Sequence, residues 1–386
     1  MKVLLVNHFP LEGSGSGVYT KNIAQHLLDE GHQVKVIVVD SEINDNYNFP
    51  VETILDYNFP CFTTHPKSNN QFYNLTREEM NQYLKRFIKV VINTAEDFNA
   101  DIIHCQHLWV APYAAKLSGI PYIITAHGTD IRGYKKDKRY RHIALKGAAG
   151  AEKIITISNQ VHEDVKKYYF ADEEKLKKIL NGVDEKLFKP INIDRLELLK
   201  KYIKIDQDPP YLITFVGKLT NFKGVDLLID AANKYEKIFP GITTLIIGNG
   251  ESREQLEKQV EKLKLDNVHF LGNLPQSVLP EFYSSADLSI VPSRVEPFGL
   301  VAVEALACGT PVIASNAGGL PDFINEDVGR LFEMNNSSDL ADKIIAALKN
   351  NDKDKKGKKA ADYALNNFSW NKVIEEVLSV YQNVLA

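Results

Sequence analysis

The chain has 386 residues, 44% of them apolar and 25% charged, with a formal net charge of −4. That length exceeds what one hydrophobic core usually serves and leads to two soluble domains of ordinary size; that charge excludes general nucleic-acid binding, which needs a strong basic excess. The three cysteines, Cys61, Cys105 and Cys308, are unclustered, which excludes a disulfide framework or a CxxC metal site and fits a reducing, cytoplasmic compartment.

The opening MKVLLVNHFPLEG carries an apolar run too short for a signal segment and reads as a first strand ending in a turn. No stretch reaches the ~18–20 apolar residues of a membrane span, which leaves peripheral contact with a membrane open. Short apolar, β-branched runs then alternate with helix-like segments, at 3–6, 34–39, 102–103, 122–125 and 154–157, and again at 212–216, 245–247, 268–271, 288–291 and 311–314. Runs that are continuous rather than alternating are buried on both faces, so they predict parallel sheets covered by helices, an α/β doubly wound architecture. Both halves begin alike, with VLLVNHFPLEGSGSG and YLITFVGKLTNFKG each running from a buried strand into a glycine-bearing loop. Between them 183–210 is rich in charge and proline, which places an N-terminal domain over 1–185 and a C-terminal domain over 186–367. The stretch 368–386 has a helical apolar period, Val373, Val377, Val380, Tyr381 and Val384, with Ser369 as its N-cap.

In chain order, Gly13-Ser14-Gly15-Ser16-Gly17 follows the first strand as a loop whose backbone can approach a ligand. It is GxGxG, an incomplete dinucleotide fingerprint, although Asp40 at the end of the second strand imitates its ribose-binding acid. The polar segment Thr63-Thr64-His65-Pro66-Lys67-Ser68-Asn69-Asn70 is a surface connection or an acceptor loop. His127, in Thr125-Ala126-His127-Gly128-Thr129-Asp130, sits where a buried strand ends and can serve a sugar hydroxyl; a turn or core histidine is the alternative. From Arg132 to Lys146 the chain carries seven basic residues against Asp137. Such a run is a solvated face, or a surface for a phosphorylated or carboxylated acceptor or for anionic lipid headgroups.

In the second half, Gly217-Lys218-Leu219-Thr220-Asn221-Phe222-Lys223-Gly224 puts two lysines in a loop at a strand's carboxyl edge, where a diphosphate can be neutralised. The richest segment is VPSRVEPFGLVAVEALACGTPVIASNAGGLP, 291–321. A helix is expected from Leu300 to Cys308, with Pro297 at its start. The N–H groups of Phe298, Gly299 and Leu300 would point out of that start as an anion site. Glu296 and Glu304 flank it and suit hydroxyl groups as charge-assisted acceptors; acidic helix-start chemistry is the structural alternative for either alone.

These segments, in this order, resemble the retaining, nucleotide-sugar-dependent glycosyltransferases of GT-B fold, glycosyltransferase family 4 (glycosyl transferases group 1). The carrying motifs are the Glu296–Glu304 block with its CGTPVIAS continuation, VGKLTNFKG, IGNGESR, NGVD, HGTD and the early glycine-rich loop. The resemblance implies two Rossmann-like domains facing across a cleft, with the last helix crossing back to the first domain. It implies a metal-independent enzyme without cofactor, moving a hexose-type or N-acetylhexosaminyl sugar from a nucleotide-diphosphate donor, uridine being the expected base, to a hydroxyl acceptor. Glu296 would bind donor-sugar hydroxyls and Glu304 the ribose. Phe298, Gly299 and Leu300 would present N–H groups, and Lys218 and Lys223 would neutralise the diphosphate. Gly17 would close over it, and His127 would contact the transferred sugar. Acceptor contacts fall to His65, Lys67, Asp130 and Arg132 in the first domain. Lys218 departs from the arginine usual in the family, keeping the charge but losing the bidentate fork. The same fold serves nucleotide-sugar epimerases, phosphorylases and non-catalytic nucleotide-sugar-binding proteins, and GSGSG with Asp40 alone would suit a nicotinamide-dependent dehydrogenase.

Overall fold

A computed structural model describes residues 1–42, 46–55, 58–62 and 65–386. The chain divides into two compact units, one made of 1–181 with 370–386 and the other of 182–369. The first unit is built on seven parallel strands, β1 (Lys2–Val6), β2 (Gln33–Asp40), β3 (Val51–Leu55), β4 (Ile102–Gln106), β5 (Tyr122–Ala126), β6 (Lys153–Thr156) and β7 (Leu176–Lys178), in the order β3-β2-β1-β4-β5-β6-β7. The second has six, β8 (Leu212–Val216), β9 (Thr243–Ile247), β10 (Val268–Gly272), β11 (Leu288–Val291), β12 (Val312–Ser315) and β13 (Gly329–Phe332), in the order β10-β9-β8-β11-β12-β13. Both are the doubly wound sheets that the apolar runs predict.

Three strands escape that reading: β3, β7 and β13. All are sheet edges. An edge strand is covered less completely, so its side chains need not be apolar throughout; Leu176-Lys177-Lys178 in β7 has no buried residue.

In each unit the strand order reverses direction once, between β1 and β4 and between β8 and β11. Their pairings, Val3 with Ile102 and Leu288 with Ile213, are parallel. The loops that leave the carboxyl ends on either side of such a switch point diverge and create the sheet's natural ligand crevice. Among the described residues no helix is long and apolar enough to cross a membrane.

The last helix, Trp370–Leu385, belongs to the first unit. Its buried face, with Trp370, Val373, Val377 and Tyr381, joins a core that includes Tyr19, Ile23, Val36 and Ile102. Ser369 before it has the extended backbone of an N-cap. A polar pin completes the docking: Tyr381 Oη and Thr125 Oγ1 lie 2.7 Å from the two ring nitrogens of buried His104. Trp370→Ala should therefore lower the unfolding free energy by ~3–5 kcal/mol, the cost of emptying a large buried aromatic site. Denaturant unfolding followed by circular dichroism measures this, and a loss under ~1 kcal/mol would show that the helix is not integral to that core.

Candidate functional site

In the second unit the loops after β8 and β11 leave neighbouring strands from one edge. The first runs from Gly217 through exposed Lys218 into a single 3₁₀ turn, Asn221–Lys223. The turn ends at Gly224, whose φ of 66° is left-handed and whose added Cβ would lie 2.0 Å from the Pro292 carbonyl oxygen. Only glycine lets the two loops approach this closely. The second loop carries Ser293, Arg294 and Glu296. Across the seam Lys223 Nζ donates to Glu296 Oε2 at 2.6 Å, and Ser293 Oγ donates to the same oxygen at 3.1 Å. Lys223 keeps 29% of its side chain exposed while Glu296 keeps 9%. The cation therefore faces solvent more than the carboxylate does.

The helix beside them begins at Leu300, with Gly299 at the N-cap (φ 113°) and no side chain capping it. Pro297 consequently lies in the loop before the helix, and not at its start as the sequence suggests, because the left-handed Gly299 separates the two. The helix ends at Ala307, one residue before the expected Cys308, which is its C-cap. The first N–H groups of this helix have no intrahelical acceptor. Phe298 turns its ring into an aromatic cluster, 5.3 Å from Phe323 and 6.1 Å from Phe368, and is buried there. Glu304 lies on the buried side of the helix and accepts from Tyr283 Oη at 3.2 Å. Burial outweighs that hydrogen bond and pushes its pKa up to about 7. The two glutamates of one motif thus differ: Glu296 has a cation at hydrogen-bond distance, and Glu304 has a phenol.

In the first unit His127 follows β5 and is buried, with Nε2 2.9 Å from Gln106 Oε1. Burial lowers its pKa to about 3, so the ring is neutral and has one donor and one acceptor nitrogen. Its neighbour His107, ring centroids 4.9 Å apart, has φ 75°. Both His107 nitrogens lack a hydrogen-bond partner among the described residues. Gly17 is not in a loop: the helix starts at Gly15, capped by Ser14, whose hydroxyl accepts from the Gly17 N–H at 3.0 Å. The glycine is needed because a Cβ there would lie 2.3 Å from the Pro10 carbonyl oxygen.

The acceptor candidates are held within the first unit. His65 Nε2 lies 3.0 Å from the Glu12 carbonyl, and Lys67 Nζ donates to Asp40 at 2.8 Å and to Glu42 at 3.4 Å. Asp40, paired this way, is not presented as a ribose acid. Asp130 is fully buried and accepts from the Leu108 N–H at 2.6 Å; burial raises its pKa to about 6 against that bond. Arg132 is half-buried. Thr63 and Thr64 lie outside the described residues. Much of the basic run serves the fold. Arg139 binds Asp137 and the carbonyls of Phe72, Tyr73 and Leu75, Lys135 pairs with Asp164 at 3.2 Å, and Lys136 sits 3.9 Å above the Tyr73 ring.

Four residues of the second-unit site are absent from the sequence reading: Ser293, Tyr283, Asp226 and Arg294. Ser293 and Arg294 stand inside the motif segment; Ser293 bonds Glu296 three residues on, whereas the partners of Arg294, namely Asn221, Asp226 and Asn335, lie 41 to 73 residues away, and no local pattern marks such a pairing.

A family model described as glycosyl transferases group 1 matches residues 198–364, and one described as glycosyltransferase family 4 matches residues 13–187. The chain is 30% identical to an uncharacterized glycosyltransferase of Methanocaldococcus jannaschii over 99% of this chain and 98% of that protein. It is 26% identical to an N-acetyl-alpha-D-glucosaminyl L-malate synthase of Bacillus anthracis, over 96% of this chain and 94% of that protein. The solved structure of HepE from Anabaena in complex with UDP matches with a TM-score of 0.78 at 23% identity, covering 99% of this chain and 100% of that one. That likeness is one of fold, the pair of Rossmann-like domains termed GT-B.

The Glu304 carboxyl has a consequence for stability. A glutamate free of its surroundings titrates at 4.5, and Glu304 in the fold titrates at about 7. Between these values the folded state keeps a proton that the unfolded state has released, so the contribution of Glu304 to stability falls as pH rises through that window. Glu304→Gln removes this titration. Relative to wild type, the variant should gain on the order of 3 kcal/mol between about pH 4 and about pH 8. Denaturant unfolding at both pH values checks this, and a difference that does not change with pH would contradict the raised pKa.

Proposed function

This chain is a member of glycosyltransferase family 4, the glycosyl transferases group 1, and we propose that it moves a hexose-type sugar from a nucleoside-diphosphate donor to a hydroxyl acceptor with retention of configuration. The observation that carries the reading is the Lys223–Glu296 pair at 2.6 Å beside an uncapped helix start. A nucleotide sugar joins a diphosphate, which wants cations and N–H donors, to a ring of hydroxyls, which a carboxylate binds. An ammonium has three N–H donors. Glu296 takes one, and the others suit phosphate oxygens. Both bonds to Glu296 land on Oε2, which leaves Oε1 for sugar hydroxyls. Glu304 would take the ribose. Uridine is the favoured nucleoside on the strength of the UDP complex of HepE. An anionic acceptor is kept in view by the Bacillus relative, which is named for L-malate.

In the proposed front-face reaction the bond from the anomeric carbon to the diphosphate oxygen breaks while the acceptor hydroxyl oxygen bonds to that carbon on the same face. The acceptor's proton passes to the departing phosphate oxygen. Lys218, Lys223 and the amides of Phe298, Gly299 and Leu300 would stabilise the charge developing on the leaving group, the kind of preorganised electrostatics that dominates many enzymes. That set of donors needs no metal ion to do so. His127, neutral, would offer the transferred sugar a hydrogen bond without adding positive charge next to a carbon that is becoming cationic.

Two measurements test this. Thermal stability with UDP, GDP, ADP and their glucose and N-acetylglucosamine conjugates, in EDTA, should show a specific shift for one nucleotide, worth ~2.7 kcal/mol with ligand at a hundred times its Kd. With that donor, Lys223→Ala and Glu296→Gln should lower turnover by ~10²–10³ while circular dichroism stays unchanged. Near-normal turnover in either variant would sink the assignment of that residue. Activity lost in EDTA and restored by Mg²⁺ would sink metal independence.

A further inference from the structure

Arg294, two residues before Glu296, uses all three of its guanidinium nitrogens. Nε donates to Asn335 Oδ1 at 2.7 Å. Nη1 donates to the Asn221 carbonyl at 2.8 Å, to Asn221 Oδ1 at 3.2 Å and to Asp226 Oδ1 at 2.8 Å, and Nη2 donates to Asp226 Oδ2 at 2.6 Å. The backbone does the same work: the N–H groups of Arg294 and Val295 both reach the Phe222 carbonyl, at 2.7 and 3.3 Å. The targets bracket Lys223. Asn221 and Phe222 precede it in the 3₁₀ turn, and Asp226 follows it in the first turn of the helix Val225–Tyr235. Ion pairs as exposed as Arg294–Asp226, with side chains 22% and 36% accessible, add little stability. A planar fork with two parallel bonds contributes geometry instead.

We infer that Arg294 is a positioning residue: through the Asp226 fork and the Asn221 and Phe222 carbonyls it holds Lys223 at its spacing from Glu296, and so sets how tightly the diphosphate of a donor is gripped. The inference rests on the reading of that pair as the donor site. Lysine cannot replace the arginine here, because an ammonium lacks the planar fork and cannot serve Asp226, Asn221 and Asn335 at once.

The test is calorimetric titration of the full-length protein with UDP, GDP and ADP and with the matching monophosphates. Wild type and Lys223→Ala come first. Wild type should bind one diphosphate more tightly than its monophosphate, and Lys223→Ala should erase that preference. Arg294→Lys should then weaken the diphosphate roughly ten-fold, the size of one lost charged hydrogen bond, while the monophosphate changes less than about three-fold. A merely structural role would weaken both ligands equally or neither, and either result overturns the inference while leaving the donor-site reading intact. Wild type binding none of the six nucleotides would overturn both. If Arg294→Lys does not fold, Asp226→Asn, which keeps the side chain's shape and removes the charged fork, carries the same comparison with the same outcomes.

Discussion

All strands of the second sheet run in one direction, and the site depends on that constraint. Because β8 and β11 are parallel neighbours, their following loops leave the same edge side by side, although about seventy residues separate them in the chain. A lysine from one and a glutamate from the other can then meet at 2.6 Å without either strand bending. The close approach needs Gly224 against Pro292, and the register along the seam is set by the hydrogen bonds from Arg294 and Val295 to Phe222. Topology brings the loops together; a few polar contacts fix the distance.

Within that frame the two motif glutamates are given different electrostatics by burial and partners. Glu296 receives a cation and a hydroxyl on one oxygen, with its second oxygen left as an acceptor. Glu304 sits against Tyr283 with no cation among its named partners, and its raised pKa follows from desolvation. A ligand hydroxyl that donates to Glu304 would favour its ionised form. The two carboxyls of one motif thus differ in their partners, one set against a cation and the other against a phenol. The spacing of the two glutamates does not reveal this difference, because spacing carries no information about neighbours.

How far the sequence speaks follows from what each feature depends on. The inner strands were legible because burial on both faces leaves a continuous apolar run; β3, β7 and β13 were not, because edges relax that demand. Lys223, Glu296 and the helix after Gly299 could be located from local signals, a glycine-bounded loop and a helix boundary. Their mutual geometry could not, since it is made by Arg294, Asp226 and Ser293. An arginine in a polar loop looks like a solvated one until its partner, far off in the chain, is known. Gly17 errs in the opposite direction. Its glycine-rich surroundings suggest a ligand loop, whereas its N–H is bound by Ser14 and its missing Cβ makes room for the Pro10 carbonyl.

The first unit buries a group of histidines. His8, His104 and His127 are each brought to about 3 by burial, and His107 is lowered as well. These four histidines, on or just after β1, β4 and β5, therefore add no positive charge at neutral pH. Each neutral imidazole has one donor and one acceptor; His104 spends both on Tyr381 and Thr125 and His8 both on Tyr83 and the Ala111 N–H, whereas neither His107 nitrogen has a hydrogen-bond partner among the described residues, its Nδ1 lying 3.8 Å from Asp130 Oδ2. A neutral ring whose nitrogens are both unspent suits a hydroxyl, which can answer either role, and suits a phosphate poorly, since a phosphate needs cations.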